Sequence, residues 1–325
     1  MLEITAENAI SYLCDRVFDP GTPMQVRELG GGVSNVVLLV ETPGLRLVLK
    51  QSLGKLRVEQ DWFSDRERIF RESTALSFLE DALPPGAVPS LLWEDRDNFS
   101  FGMKAAPPYA EPWKDQLLRG EIRLEIATAA AKILGAMIAH TEGNLAYAEE
   151  FGDQGVFEQL RLEPYYRTTA ARHPELRGAF DRLIAESSAR RVALVHGDWS
   201  PKNLLVACND VMAIDFEVVH YGDPSYDAAF LLNHLLIKSM YLPHWKSGFC
   251  AAAMQFWLSL CEYLPPDWDW FENATLAHLG ALLLARVDGK SPVEYVTSDA
   301  LKEQMRDVGR RLLTHPPSTL AQVFA

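Results

Sequence analysis

The hydrophobic pattern of this chain changes at a pair of prolines, Pro107 and Pro108. Before the pair, apolar and polar residues mostly alternate over short stretches, which is typical of the strands of a half-buried sheet. After the pair, apolar residues recur with helical spacing in long stretches rich in Ala and Leu. We therefore predict an α+β protein with two lobes, a small antiparallel β lobe at residues 1–106 and a larger, mainly α lobe at residues 107–325.

The first lobe should combine a sheet with two helices. Helical spacing covers residues 5–18 and again residues 65–81, where a Pro-Pro-Gly sequence ends the pattern. Three glycines, Gly30 to Gly32, form a tight turn between the first two predicted strands. Strand patterns occupy residues 26–29, 33–40, 45–50, 90–94 and 98–103.

The second lobe should be mostly helical, with a few short strands that present polar loops. Helical patterns occupy residues 121–140, 174–188, 225–239, 248–263, 271–286 and 298–313. Short apolar runs that we interpret as strands occupy residues 193–195, 204–206 and 211–214. Polar side chains directly after such strands are well placed to form a site.

Composition limits the partners that this chain can bind. Its 325 residues carry a formal net charge of -13, which repels nucleic-acid phosphates and anionic lipid surfaces. We therefore expect no nucleic acid and no membrane as partners, and no stretch is apolar for long enough to span a bilayer. The N-terminus lacks the features of a signal peptide and the four cysteines form no C-x-x-C pair, so we expect a cytoplasmic protein. A homodimer is left open.

The most informative stretch is HGDWSPKNLL at residues 196–205, followed by IDFE at residues 214–217. Phosphoryl transfer needs a carboxylate near the attacking hydroxyl and oxygen ligands for the magnesium ion on the phosphates. Asp198, Asn203 and Asp215 provide this set, with the D-x-x-x-x-N spacing of a kinase catalytic loop. We predict Asp198 as the catalytic base and Asn203 and Asp215 as ligands of Mg²⁺.

These motifs, together with GDPSYDAA at residues 222–229, resemble the aminoglycoside phosphotransferase and choline kinase family, which consists of small-molecule relatives of the protein kinases. The resemblance covers roughly residues 25–290 and is most specific in the catalytic loop and the metal motif. It implies a protein-kinase-like bilobal fold. The regions 50–53 and 65–68 are most similar to the methylthioribose kinases, but Phe216 and Asn203 differ from the residues usual there.

The resemblance also implies a nucleotide site in the first lobe, with ATP as the phosphate donor and GTP as the open alternative. Lys50 occupies the position of the lysine that contacts the nucleotide phosphates, and Glu72 is its expected helix partner, with Glu67 in reserve. The glycine-rich turn resembles the loop that covers the phosphates, where backbone N–H groups approach an anion. The residues implied in that loop are Gly31, Gly32, Ser34 and Asn35.

The acceptor should be a small molecule with a hydroxyl group, such as a sugar, an amino alcohol or an aminoglycoside. Only a short connection follows Asp215, without the A-P-E signature of a protein-substrate platform. Trp199, Glu217 and Arg286 are the candidate acceptor contacts, although Arg286 would equally serve as a cation at a helix C-terminus ahead of Gly289. The alternative function is that of a nucleotide-binding pseudokinase with a regulatory role, against which the intact Asp198 argues.

Overall fold

The computed structural model describes residues 2–14, 16–30, 35–54 and 65–325. The chain forms two compact units, Met1–Pro108 and Tyr109–Ala325, and the division follows directly after the proline pair. An X-Pro step disfavours the helical conformation of the residue before it, so two consecutive prolines end regular structure at this point.

A five-stranded antiparallel sheet forms the first unit, with the strand order β1-β2-β3-β5-β4. Its two central strands have side chains that alternate between the faces of the sheet, and their β-branched and leucine residues are almost all buried. The strands are β1 (Gln25–Glu28), β2 (Asn35–Glu41), β3 (Arg46–Ser52), β4 (Leu91–Asp95) and β5 (Ser100–Lys104).

Two helices, α1 (Ala9–Cys14) and α2 (Arg68–Leu79), accompany this sheet. The buried residues of α1 form one apolar core with alternate residues of β2 and β3, among them Leu47 and Leu49. The α2 helix packs against β3, β4 and β5. Because the strand period is two, Lys50 lies on the opposite face of β3 from Leu47 and Leu49.

The second unit is mainly helical. Helix α9 packs against both α10 and α11, and α4 and α12 pack against α10 and α11, respectively. Its α-helices are α3 (Trp113–Leu118), α4 (Leu124–Thr141), α5 (Leu145–Glu150), α6 (Gly155–Phe157), α7 (Thr168–Arg172), α8 (Arg177–Ala189), α9 (Ser225–Tyr241), α10 (Lys246–Cys261), α11 (Phe271–Asp288) and α12 (Asp299–Thr314).

Two small antiparallel sheets interrupt these helices. One pairs β7 with β10, and the other has the order β6-β8-β9. The strands are β6 (Glu111–Pro112), β7 (Ala193–Val195), β8 (Leu204–Ala207), β9 (Asp210–Ala213) and β10 (His220–Gly222). Three of them, β7, β8 and β9, lie where the sequence predicts short strands. The α+β class and the kinase-like arrangement of a β unit followed by a helical unit are confirmed.

The segment between α6 and α7 differs from an ordinary helix. It is a π-helix, Glu158–Arg167, and it is continuous with both neighbouring α-helices. The sequence pattern does not predict a helix for this segment. One physical reason is Pro164, because proline cannot donate the backbone hydrogen bond that a regular helix requires. In the part of the chain that the structure describes, no helix combines the length and the apolar character needed to cross a membrane.

Candidate active site

The loop that follows β7 is folded by its own backbone. The N–H of Ser200 donates to the carbonyl of Asp198 at 2.8 Å, and the N–H of Asn203 donates to the carbonyl of Ser200 at 2.9 Å. The Asn203 amide also donates from Nδ2 to the Asp198 carbonyl at 3.0 Å. These bonds join both ends of the D-x-x-x-x-N motif into one compact turn, which we call the catalytic loop (residues 196–203).

A buried carboxylate from α9 holds the start of the catalytic loop. Asp227 accepts hydrogen bonds from the backbone N–H groups of His196 at 2.6 Å and Gly197 at 2.9 Å. Gly197 has a φ of 78°, and a Cβ atom there would lie 2.9 Å from Val218, so only glycine fits. Burial raises the pKa of Asp227 to about 7, although the two N–H bonds oppose that change.

His196 has a structural role, as the sequence analysis assigns it. Its Nε2 lies 3.0 Å from the carbonyl of Ile214, and its Nδ1 accepts from the backbone N–H of Asp198 at 3.1 Å. These partners assign the proton to Nε2. Burial lowers the pKa of His196 to about 4, so the ring is neutral and both its nitrogens are engaged. A neutral ring with both nitrogens occupied is not available as a base.

Asp198 is 4% exposed and lies between two cations. Its Oδ2 is 3.1 Å from an Arg161 guanidinium nitrogen and 2.9 Å from the ammonium of Lys202. Burial acts to raise the pKa of Asp198, but the charges of Lys202 and Arg161 outweigh burial and leave that pKa below its usual value. The carboxylate is therefore ionised at neutral pH.

Asn203 and Asp215, the two predicted metal ligands, are both linked to the environment of Asp198. The N–H of Ile214 donates to the Asn203 carbonyl at 3.0 Å, which joins the catalytic loop to the residue before Asp215. Asp215 has a φ of 71°, a left-handed conformation that costs free energy and is concentrated at functional sites. It lies close enough to Asp198 for its charge to act on the pKa of that group.

The chemistry of these two residues fits magnesium. Because the Asn203 Nδ2 already donates to Asp198, the amide is oriented with its Oδ1 available as a ligand. Within the described ranges, no cluster of three or more His, Cys, Asp or Glu residues is arranged to hold a metal ion. Magnesium in phosphoryl-transfer sites usually takes only one or two carboxylate ligands from the protein, together with waters and phosphate oxygens, so Asn203 and Asp215 would be a suitable protein contribution.

Two of the predicted acceptor contacts, Trp199 and Glu217, are buried. The Trp199 ring is 1% exposed and packs edge-on against His196, with 5.3 Å between the ring centroids. Glu217 is 8% exposed and lies within electrostatic range of Arg161. Neither position tests a contact with an acceptor, so both assignments stay predictions.

Arg286, in the last turn of α11, has structural partners. One of its terminal nitrogens donates to the carbonyl of Ser291 at 2.6 Å, to the Ser291 hydroxyl at 3.0 Å and to the Tyr165 hydroxyl at 3.2 Å. The N–H of Gly289 donates to the carbonyl of Ala285 at 2.8 Å at the end of the helix. Arg286 therefore holds the turn after α11, and a contact with an acceptor stays a prediction.

In the first unit, Lys50 and Glu72 form a buried ion pair. The Lys50 ammonium lies 2.8 and 2.7 Å from the two carboxylate oxygens of Glu72, and the two residues are 4% and 0% exposed. Glu67, the reserve partner, is exposed and precedes the first turn of α2. Asn35 is the buried first residue of β2, where it pairs with Ser52.

The other predicted residues of the phosphate-covering loop lie outside the described residues. They are Gly31, Gly32 and Ser34. Their assignment stays a prediction, as does the contact of Lys50 with nucleotide phosphates. What the structure shows in this unit is the ion pair between Lys50 and Glu72.

Two cations beside Asp198 have no role in the sequence analysis. Lys202 stands inside the quoted motif, four residues after Asp198, and a loop lysine is usually solvated. Arg161 lies 36 residues away from Gly197, whose carbonyl accepts its Nε–H. Nothing in the local sequence of residues 158–167 distinguishes Arg161 from neighbouring charges such as Arg167, so only the tertiary structure identifies it.

Comparison with known proteins gives a family and relatives. A family model, APH, described as a phosphotransferase enzyme family, matches residues 25–272. Methylthioribose kinase 2 of Oryza sativa subsp. japonica is 27% identical over 242 residues, which cover 66% of this chain and 56% of the rice protein. The chain thus spans little more than half the length of this relative.

Solved structures with the same fold have low sequence identity to the chain. Amicoumacin kinase hAmiN, in complex with AMP-PNP, Ca²⁺ and Ami, superposes with a TM-score of 0.61 at 13% identity, and the match covers 98% of this chain and 96% of that one. The streptomycin-ATP-APH(2")-IIa ternary complex gives a TM-score of 0.51 at 15% identity, with 100% and 99% covered. At such identities the likeness shows the fold alone.

Proposed function

Because this chain belongs to the phosphotransferase enzyme family, we propose that it transfers the γ-phosphoryl group of Mg-ATP to a hydroxyl group of a small molecule. The observation that carries the proposal is the catalytic loop. Asp198 is ionised and paired with two cations, the Asn203 amide bonds the Asp198 backbone, and the charge of Asp215 acts on the Asp198 carboxylate. Positioning and charge neutralisation are what phosphoryl transfer demands of a protein.

The proposed step uses these residues as follows. The acceptor O–H bond breaks and its proton passes to the Asp198 carboxylate, while the acceptor oxygen forms a bond to the γ-phosphorus. The bond from the γ-phosphorus to the bridging oxygen breaks, and ADP leaves with that electron pair. Asn203 and Asp215 supply ligands for magnesium, which neutralises phosphate charge when bound. We assign Lys50, fixed by Glu72, to the nucleotide phosphates.

The acceptor class remains broad in this proposal. The rice relative is named a methylthioribose kinase, and the solved relatives include amicoumacin and aminoglycoside enzymes. These names support a hydroxyl-bearing small molecule, with methylthioribose, other sugars, amino alcohols and aminoglycosides as the compounds to test. AMP-PNP and ATP in the solved relatives support an adenine nucleotide as donor.

The decisive experiment measures magnesium-dependent ADP formation with each of these acceptors, for the native chain and for Asp198→Asn. We expect the variant to lose about 10²- to 10⁴-fold in turnover, the usual contribution of a general base, because the amide cannot accept the hydroxyl proton. Asp210→Asn, an exposed acidic residue on the adjacent hairpin, is the matched control and should keep full turnover.

The results separate the two candidate functions. Full turnover by Asp198→Asn would refute the role of this residue as base. Binding of Mg-ATP by calorimetry, without transfer to any acceptor of the set, would instead support the nucleotide-binding role without catalysis.

A further inference from the structure

The two carboxylate oxygens of Asp198 have different surroundings. Oδ2 is shared by two cations, Arg161 at 3.1 Å and Lys202 at 2.9 Å. Among residues 2–14, 16–30, 35–54 and 65–325, Oδ2 is the carboxylate oxygen closest to both cations, and no side-chain hydrogen bond to Oδ1 is formed. A carboxylate held through one oxygen presents the other in a fixed direction.

Arg161 is well suited to hold that carboxylate, because its guanidinium is anchored by the backbone. Its Nε donates to the Gly197 carbonyl at 2.6 Å, and one terminal nitrogen donates to the Leu160 carbonyl at 2.8 Å. The side chain is 11% exposed, so solvent screens these contacts little. The planar guanidinium thus links the backbone of the catalytic loop to the Asp198 side chain.

The π-helix that carries Arg161 is itself held in place. The Thr168 hydroxyl donates to the carbonyl of Glu163 at 2.9 Å, and the N–H of Lys290 donates to the carbonyl of Pro164 at 2.9 Å. The Thr169 hydroxyl bonds the carbonyl of Tyr165. These bonds anchor the π-helix to the start of α7 and to the turn after α11.

We propose that Arg161 is a positioning residue, which together with Lys202 holds Asp198 through Oδ2 and leaves Oδ1 as the atom that accepts the acceptor proton. This inference rests on the proposed function, in which Asp198 is the base. The transferred proton breaks its bond to the acceptor oxygen and bonds to Oδ1, while Oδ2 keeps its two cations. A fixed Oδ1 raises the rate because the reacting atoms start close to their reactive geometry.

Loss of Arg161 should act mainly on the chemical step. Without its ion pair to Oδ2, the Asp198 carboxylate is held by Lys202 alone and is free to rotate, which lowers kcat more than it changes the KM for the acceptor. A residue that only supported the fold would not change kcat selectively in a folded variant.

The test compares Arg161→Gln and Arg161→Lys with a matched control on the same π-helix. Arg167→Gln removes a guanidinium that is 45% exposed and pairs with Glu158 instead of the catalytic loop. Lys202→Gln provides a second route, since the Lys202 side chain is 54% exposed and its loss is tolerable for folding. Circular dichroism and thermal unfolding establish that each variant is folded.

The measurement is ADP formation from Mg-ATP with methylthioribose as the acceptor probe, and with water as acceptor for basal hydrolysis. We expect Arg161→Gln to lose about 10- to 100-fold in kcat, with a smaller loss in Arg161→Lys and none in Arg167→Gln. Native kcat in Arg161→Gln would overturn the positioning role while Asp198→Asn remains inactive. Full turnover in Asp198→Asn would instead overturn the proposed base, so the two failures are distinguishable.

Discussion

Among the residues that the structure describes, two lysines are buried, one in each unit, and their surroundings are opposite. Lys50 in the first unit is 4% exposed and contacts both oxygens of Glu72. Lys238 in α9 is 0% exposed, and its ammonium contacts the His234 carbonyl at 3.5 Å and the Tyr295 hydroxyl at 3.4 Å. Neither contact carries a negative charge.

The comparison shows that a buried cation needs a partner of opposite charge to stay charged. Burial, followed by the nearby charges of Lys114 and Arg286, lowers the pKa of Lys238 to about 7. No ion pair opposes this for Lys238 in the part of the chain that the structure describes. Lys50 has the carboxylate of Glu72 as a countercharge, which suits it to bind an anion such as a phosphate. Lys238 has no such countercharge among its contacts, and its ammonium loses a proton near neutral pH.

The largest expected effect comes from removal of the partner of Lys50. Glu72→Gln should reduce the free energy of unfolding by about 3–5 kcal/mol, because it leaves a buried ammonium without a countercharge. Chemical denaturation, followed by fluorescence, measures the change. The double variant Glu72→Gln with Lys50→Met should recover much of the loss. If the double variant is no more stable than Glu72→Gln alone, the unpaired charge is not the cause.

A smaller effect of opposite sign is expected for the lysine without a partner. Lys238→Met should raise the free energy of unfolding at pH 6 by about 1–3 kcal/mol, since one pKa unit corresponds to about 1.4 kcal/mol and the lost polar contacts offset part of the gain. The exposed Lys246→Met is the control and should change stability little. A destabilised Lys238→Met would show that the ammonium has a stabilising partner in solution.

The gain should depend on pH in a defined direction. The folded-state pKa of Lys238, about 7, lies below its ordinary value of 10.5, so the unfolded chain binds more protons between these two values. The native chain therefore gains stability from this group as the pH rises through that window. The advantage of Lys238→Met should be complete below pH 7 and disappear toward pH 10.5, as measured by denaturation at a series of pH values.

The smallest effect should come from an ion pair of the same sheet that is not buried. Arg46 and Glu41 pair at 2.6 Å with side chains 27% and 37% exposed. Glu41→Gln should reduce the free energy of unfolding by at most about 1 kcal/mol, because water screens both charges. A loss as large as that of Glu72→Gln would mean that burial does not explain the comparison of the two lysines.

The parts of this fold that could be predicted from the sequence are those with a local signal. Strand alternation in the first unit and helical spacing in α4, α8, α9, α10, α11 and α12 lie where the structure has those elements. The catalytic loop also has a local signal, since residues within it, together with the nearby Ile214 and Asp227, form many of its hydrogen bonds, although the bond from Arg161 to Gly197 comes from a distant part of the chain. Short elements such as α3 and β10 have too few residues for a periodic pattern.

Arg161 could not be predicted, for a different reason. Its role follows from contacts with Gly197 and Asp198, which the fold brings to it from a distant part of the sequence. Its helix was not predicted either, because the segment contains Pro164 and its pattern is mostly polar. Contacts of its carbonyls with residues outside the segment hold it in place. A single sequence carries no signal for either property.

The number of residues in the π-helix affects the direction in which Arg161 points. A π-helix closes each hydrogen bond over one residue more than an α-helix does. Successive side chains in an α-helix are rotated by about 100° around the axis, which is more than in the wider π-helix. If the C-terminal end of the segment stayed fixed, an α-helical form would therefore rotate Arg161 away from the Asp198 carboxylate. The number of residues between α6 and α7, and not only their identity, therefore aligns the arginine, and deletion of a single residue here would act on the catalytic loop from outside it.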